Sequence, residues 1–395
     1  MGPLAGITII EIAGLGPGPF AAMSLADMGA SVIRIERPGG GLFAAQQDSR
    51  LDVLNRGKRC IGVDLKTPEG VDTVLTLIDK ADGLLEGNRP GVMERLGLGP
   101  DICLQRNPKL VYGRMTGWGQ EGPLANEVGH DLNYIALTGA LHTMGRAGEK
   151  PAIPLNLVGD FGGGGMMLAY GMVCALLESK TSGAGQVVDA AMVDGAATLM
   201  ASSYAANQIG FWSDERGTNV LDSGAHFYEV YETADGKYVT IASVEPQFYA
   251  ALIEALGEDI EGMENQWDMA NWPAFKNKLE AVFKQRTREQ WDSFFDGLDI
   301  CYAPVLSMAE VRHHPHHQAR GTFVDDGEVW QPAPAPRFSR TPGEVQRPPA
   351  KIGAHSTEIL TEFGFGQDAI DALLKSGAVK PVSYTHLRAH ETDSY

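Results

Sequence analysis

The stretch "ITIIEIAGLGPGPFAAMSLADMGASVIRIERP", residues 7–38, decides the architecture. Residues 7–14 form a short apolar run that ends in glycine. Residues 17–30 follow at helical spacing, with a proline in the first turn, where its missing N–H leaves no bond unmade. Residues 31–38 alternate like a strand. Further out, "RCIGVDL" (59–65), "DGLLEG" (82–87) and "KLVYGRMTG" (109–117) read as short strands. "TPEGVDTVLTLIDKA" (67–81) reads as a helix with a threonine cap and a proline at its first position. Strands and helices alternating at this spacing predict an α/β fold with a doubly wound parallel sheet.

"FGGGGMMLAYGMVCALLESK" (161–180) is expected to be a helix whose glycine-rich start admits close backbone approach. "QVVDAAMVDGAATLMASSYAANQ" (186–208) reads as a short strand and a long helix. "YETADGKYVTIAS" (231–243) is a β-hairpin pattern turning at Asp235-Gly236. Helical patterns follow at 246–257, 272–285 and 287–298, the last opening on a capping box of Thr287 and Gln290. Residues 226–320 therefore read as a separate, small α+β unit. "QPAPAPRFSRTPGEVQRPPA" (331–350) is a proline-rich extended connector, and two short helical patterns come after it. Residues 382–395 have no periodicity and read as a non-native tail.

A chain of 395 residues is long for one compact core and implies about two domains. Apolar residues at 44% and charged residues at 21% fit a soluble globular protein. The longest mainly apolar stretch, 166–177, falls short of the ~20 residues of a membrane span. No basic stretch marks a signal peptide at the start. Cys60, Cys103, Cys174 and Cys301 lack CxxC spacing and read as reduced, mostly buried thiols, which places the protein in the cytoplasm. A net charge of −18 argues against a nucleic-acid partner. Residues 1–66, however, hold seven Lys/Arg against six Asp/Glu, a balance of +1 that leaves −19 for the remainder. That local balance suits an anionic small ligand, and equally a solvated face.

"GLGPGP" (14–19), followed by Glu36 at the end of the next strand, mimics a dinucleotide fingerprint. Pro17 and Pro19 remove N–H groups a pyrophosphate needs, and the third glycine is missing, so a tight turn near a ligand is the better reading. "NRGKR" (55–59), "VDLK" (63–66) and "EGNRPGVMERLG" (86–97) place cations at loops on one sheet edge. There Arg37, Lys66, Arg89 and Arg95 can bracket a nucleotide and its phosphates, or serve as ordinary surface charge. "HHPHH" (313–317) has histidines but no carboxylate or cysteine nearby to complete a metal set.

His130 in "GHDLNYIALTG" (129–139) and Asp160 in "PLNLVGDFGGGG" (154–165) each stand at the mouth of an apolar segment. Separately, each has a plain structural reading: a buried histidine, and an N-cap. Together they sit where the glycine pattern calls for tight backbone approach. At a helix start Asp160 is expected to be steadied as an anion by free N–H groups and the dipole. Those N–H groups can also receive a developing oxyanion.

These segments, with "RMTGWGQEGPL", "GAGQVVDAAMVDG" and "VEPQFYAAL", resemble the racemase branch of CoA-transferase family III from residue 2 to about 345. "GHD", "NLVGDFGGG" and "EPQFY" carry the likeness to that branch; the other segments resemble the transferases as well. The resemblance implies a Rossmann-like large domain built from both chain ends, a small α+β domain, and an interlocked homodimer. On that layout residues 1–190 are the large CoA-binding domain, 191–225 a helical linker, 226–320 the small domain, and 321–381 the return linker and C-terminal part of the large domain.

The resemblance further implies epimerisation at C2 of 2-methylacyl-CoA thioesters, with coenzyme A as part of the substrate and no prosthetic group. His130 and Asp160 match the acid/base pair, and Glu245 matches a carboxylate, contributed by the partner subunit, that pairs with the histidine. Arg37, Val63, Asp64, Leu65, Lys66, Gly87, Asn88, Arg89 and Arg95 match coenzyme A contacts. Gly129, Asp131, Leu132, Asn133 and Tyr134 match the thioester lining. His226 stands where these racemases usually carry proline, and Asn88 where an aromatic residue is common. A CoA-transferase using Asp160 as nucleophile is the alternative within the family, and a non-catalytic CoA-binding dimer the alternative outside catalysis.

Overall fold

The computed structural model describes residues 1–40, 49–325, 327 and 329–382. The expected tail therefore lies, but for Val382, outside the described residues. The strands are β1 Thr8–Ile12, β2 Ser31–Glu36, β3 Arg59–Val63, β4 Gly83–Glu86, β5 Val111–Thr116, β6 Val187–Ala191, β7 Tyr228–Glu232, β8 Tyr238–Ala242, β9 Tyr302–Pro304, β10 Phe323–Asp325, β11 Trp330–Pro332 and β12 Val379–Lys380. The chain divides into two compact units. The first comprises Met1–Tyr134, Asn156–Thr198 and the chain from Phe323; the second comprises Ile135–Leu155 and Leu199–Thr322.

The first unit holds a seven-stranded sheet in the order β12-β3-β2-β1-β4-β5-β6. The ladders from β3 through β6 are parallel, and only β12 runs against its neighbour. Every residue of β3, β4 and β5 is buried, as expected for strands covered on both faces. Strand alternation sends Ile10, Ile12, Ile33 and Ile35 into one core, with Val74 and Leu77 of helix Pro68–Ile78 and Ile359 and Leu360 of helix Ser356–Glu362. It sends Ile9 and Val32 into the other, with Ala22 and Leu25 of helix Pro17–Asp27 and Leu168 and Met172 of helix Met167–Ser182. Helices on both faces make the sheet doubly wound. Thr67 caps its helix as expected, its hydroxyl accepting the Gly70 N–H.

Both chain ends build this unit. The Arg56 guanidinium, 3% exposed, donates to both oxygens of Asp27 at 2.6 and 3.1 Å, to Gln331 Oε1 at 2.9 Å and to the Pro332 carbonyl at 2.7 Å. The 331–350 connector begins in β11, which pairs with β10. Helical structure runs without a break from Leu157 to Ser182, long and apolar enough by length and composition to cross a membrane, and so exceeds the 166–177 stretch read from sequence. Leu168, Met172 and Leu176 of this segment are buried in the first unit's core.

In the second unit the antiparallel sheet β7-β8-β9 packs against helices Pro246–Leu256, Trp272–Phe283 and Arg288–Phe295. The hairpin turns at Asp235-Gly236, with Gly236 at φ +70. The capping box at Thr287 is complete, side chain to backbone in both directions. Two boundaries and the burial of the cysteines differ from the sequence reading. Residues 135–155 join the second unit, the helix expected over 192–208 breaks at Met200, and two cysteines, Cys174 and Cys301, are exposed.

His226 lies at the centre of this unit, fully buried among Phe227, Tyr249 and Phe275. Tyr249 donates its hydroxyl hydrogen to the Met263 carbonyl at 2.6 Å, so His226 Nε2 must be the donor in its 2.7 Å bond to Tyr249. It is a core residue of the second unit. Burial, aided by the Lys276 charge, pushes its pKa down to about 4. A histidine depressed in the fold supplies stability that is present above its unfolded pKa of about 6.5 and is lost toward the folded value. Stability is expected to fall by on the order of 3 kcal/mol across that interval. Urea midpoints at about pH 7.5 and about pH 4.5 measure it, and His226→Gln should flatten the difference.

Candidate active site

The strand order 3-2-1-4-5-6 reverses direction between β1 and β4. Loops leaving the carboxyl ends of those two strands diverge and leave a crevice, the usual ligand position in such sheets. The β1 loop holds Gly16 at φ +65, directly before helix Pro17–Asp27. The β4 loop is Gly87-Asn88-Arg89.

Asp160 comes to the β1 loop from a π-helical segment, Leu157–Met166. Such wide turns are rare and gather at functional sites. The glycines explain its placement. A Cβ on Gly163 would lie 2.6 Å from Ala196 N, one on Gly164 3.1 Å from Pro17, and one on Gly165 2.7 Å from the Phe20 ring. The run serves backbone packing against helices Pro17–Asp27 and Met192–Leu199. Phe20 and Phe161 then meet at a tilt of 33°, with centroids 4.7 Å apart. Asp160 Oδ2 comes within 3.1 Å of where a Cβ on Gly16 would stand, so glycine at 16 makes room for the carboxylate.

Asp160 Oδ2 accepts from Asn156 Nδ2 at 3.0 Å, and the Asp160 backbone N–H donates to Asp131 Oδ1 at 2.6 Å. Burial raises the Asp160 pKa, the Asn156 bond opposes the shift, the Asp131 charge adds to it, and the His130 charge opposes it. One expectation is corrected here and another narrowed. The helix start does not leave Asp160 a stabilised anion, because burial and Asp131 outweigh the favourable groups. The Asp160 N–H itself is taken by Asp131, which leaves any oxyanion role to its neighbours' N–H groups.

His130 is exposed and precedes helix Asp131–Leu137, its own N–H held by Asn133 Oδ1 at 3.0 Å. Its charge acts on Asp160, so the two groups share one electrostatic environment. Leu132 and Asn133 are exposed beside it, whereas Tyr134 is 7% exposed, edge-on to Trp118 at 4.8 Å and hydrogen-bonded to the Gly129 carbonyl. The ring fills the space where side chains on Gly117 and Gly129 would go. Glu245 is an exposed residue of the second unit, its carbonyl accepting the first N–H groups of helix Pro246–Leu256.

Lys66 and Arg95 line one cleft of about 610 Å³ with Leu65, Thr67, Val71 and Leu96. Val63 is buried in its ladder with β12, and Asp64 Oδ1 accepts the Lys66 N–H at 3.0 Å. Arg37 donates from Nε and Nη2 to the Gly40 carbonyl. Asn88 binds Glu86 through its N–H. Burial and the Asp160 charge raise the Tyr134 pKa, and the Arg89 charge opposes that shift. Four of the seven N-terminal cations are held by carboxylates of the protein among the described residues. Arg34 pairs with Glu36, Arg56 with Asp27, Lys58 with Glu11 and Arg59 with Glu362. His314 Nδ1 accepts the His316 N–H and caps a short helix, and among the described residues no group of three or more His, Cys, Asp or Glu is set to hold a metal.

Sequence reasoning missed Asn156 and the inward turn of Asp131. The first had a signal: Asn156 and Asp160 are four residues apart, a helical neighbour spacing.

The CoA-transferase family III model matches residues 4–356. The chain is 45% identical to the alpha-methylacyl-CoA racemase of Mus musculus over 385 residues, covering 95% of this chain and 99% of that one. Identity to the Homo sapiens alpha-methylacyl-CoA racemase is also 45%, over 95% of this chain and 99% of the relative. It is 29% identical to the succinyl-CoA:glutarate CoA-transferase of Mus musculus, over 96% of this chain and 91% of the relative. Among solved structures, a CAIB/BAIF family protein from Brucella suis superposes with TM-score 0.80 at 25% identity, covering 92% of this chain and 99% of that one. A hypothetical protein from Mycobacterium tuberculosis gives 0.75 at 30% identity, covering 91% and 99%.

Proposed function

The chain belongs to CoA-transferase family III, and within it we propose an α-methylacyl-CoA racemase, an isomerase that epimerises C2 of 2-methylacyl-CoA thioesters through an enolate. The observation that carries this reading is a partly buried Asp160 of raised proton affinity at a sheet-edge crevice, within electrostatic reach of His130. The 45% identity to two racemases supports it.

A thioester acidifies its α-hydrogen. Inversion needs one group to remove the proton from one face and another to return a proton to the opposite face. In our reading neutral His130 and protonated Asp160 face one enantiomer, while imidazolium and carboxylate face the other. The pair holds one transferable proton before and after turnover, and two while the enolate stands between them. A raised Asp160 pKa lets this carboxyl take a proton as well as give one, as a two-way exchange requires.

Glu245, contributed by the second copy in the homodimer proposed below, is assigned to orient His130. Lys66, Arg95, Arg37 and Arg89 are assigned to the coenzyme A moiety, the cleft between Lys66 and Arg95 supporting the assignment. We also propose a homodimer. Met166, Tyr170, Val173 and Leu177 form an exposed apolar stripe along one helix, a surface suited to a second copy. A monomeric mass by light scattering would remove that part. The function itself is tested by NMR of C2 deuteration in heavy water across a panel of 2-methylacyl-CoA thioesters. Inversion with deuterium uptake is expected, and its absence from every member defeats the reading.

A further inference from the structure

We infer that Asp131 is a positioning residue that sets the gap between His130 and Asp160, an inference that rests on the epimerase reading above. Asp131 follows His130 directly, so its backbone moves with the histidine. Its side chain is turned inward, with the residue 6% exposed, and Oδ1 accepts the Asp160 N–H at 2.6 Å. One residue thereby joins the backbone carrying the imidazole to the backbone carrying the carboxylate. The approach is tight: a Cβ on Gly159 would stand 2.5 Å from Asp131 Oδ1 and 2.9 Å from its Cγ.

The second oxygen points to more than a spacer. Asp131 Oδ2 is buried with no hydrogen-bond partner. An unpaired buried carboxylate oxygen is costly, and an asparagine would make the same bond to Asp160 without burying a charge. The charge has a use, since its field favours the protonated form of Asp160. The charged groups acting on Asp160 are Asp131 and His130, and the Tyr134 phenol feels the Asp160 charge in turn. Helix Pro17–Asp27 presents Pro17 and Phe20 to this segment, and helix Met192–Leu199 presents Met192 and Gly195, none of which titrates. Asp131 thus fixes both where Asp160 stands and how readily it holds the shared proton.

The test measures C2 inversion and exchange against pH for the full chain and for Asp131→Ala, Asp131→Asn, Gly159→Ala and the Asp131→Ala/Gly159→Ala double variant. Asp131→Ala is expected to lower kcat about 100-fold with KM nearly unchanged, the scale of a small misplacement of reacting groups. Asp131→Asn should recover about tenfold of that, since its amide oxygen keeps the bond, while the acidic limb of the rate profile moves to lower pH. Gly159→Ala strikes the same contact from the other side, and the double variant should lose little beyond either single change. If Asp131→Ala does not fold, Asp131→Asn and Gly159→Ala carry the test.

Wild-type rates in Asp131→Ala, an unmoved acidic limb in Asp131→Asn, or fully additive losses in the double variant would overturn the inference alone. A purely structural Asp131 would give reduced folded fractions with the pH profile in place. Failure of the unaltered chain to exchange C2 would overturn the epimerase reading, and the inference with it.

Discussion

His130→Ala abolishes inversion at C2 in both directions, a loss on the order of 10²–10⁴-fold, the usual contribution of a positioned acid or base. The enantiomer whose α-hydrogen faces His130 loses its base. The opposite enantiomer still meets Asp160, but its enolate finds no proton on the far face. That second enantiomer should keep some deuterium exchange with retention, because Asp160 can return what it took. Chiral analysis beside deuterium NMR separates the two outcomes. Undiminished inversion would remove His130 from its role.

Asp160→Asn produces the mirror result. Inversion falls on the order of 10²–10⁴-fold, and exchange with retention survives only for the enantiomer facing His130. Stability moves the other way. Burial raises the Asp160 pKa, so the fold favours the neutral carboxyl. Above the unfolded aspartate pKa of about 3.9 the charged form costs stability, and below it the cost vanishes. The asparagine variant is therefore expected to be more stable than the parent at neutral pH and not in strong acid, which urea titrations at both pH values would read. The same residue separates the reading from transfer chemistry. A transferase would use this carboxylate as a nucleophile and carry coenzyme A on it as a thioester. Intact mass after incubation with an acyl-CoA and a free acid acceptor should show no such adduct, and an adduct lost in Asp160→Asn would establish transfer instead.

The architecture was legible where local signals agree with tertiary need. Residues 7–38 encode strand, turn, helix and strand through apolar spacing and one well-placed proline, and β1, helix Pro17–Asp27 and β2 follow it. Thr67 and Thr287 announce helix starts because a cap is a contact within one turn. The π-helical winding around Asp160 left no trace, since a change from four to five residues per hydrogen bond alters no residue type. Nor did the turn of Asp131 toward Asp160, a contact spanning 29 positions. The proton affinity of Asp160 was read with the wrong sign because the dipole of a helix start is visible in sequence and desolvation is not. Among the cations near the N-terminus, Arg59 hid its partners for a similar reason: Glu358 and Glu362 lie some 300 positions away.

The discontinuous first unit also constrains synthesis. A ribosome completes the second unit's segments before it reaches Phe323, and only later makes the Gln331 that Arg56 holds and the helix carrying Ile359 and Leu360. Until then β3 lacks the neighbour β12, and one side of the sheet remains uncovered. Nascent chains stalled between residues 200 and 350 should accordingly recruit chaperones through this unfinished face, and the large unit should mature only after release.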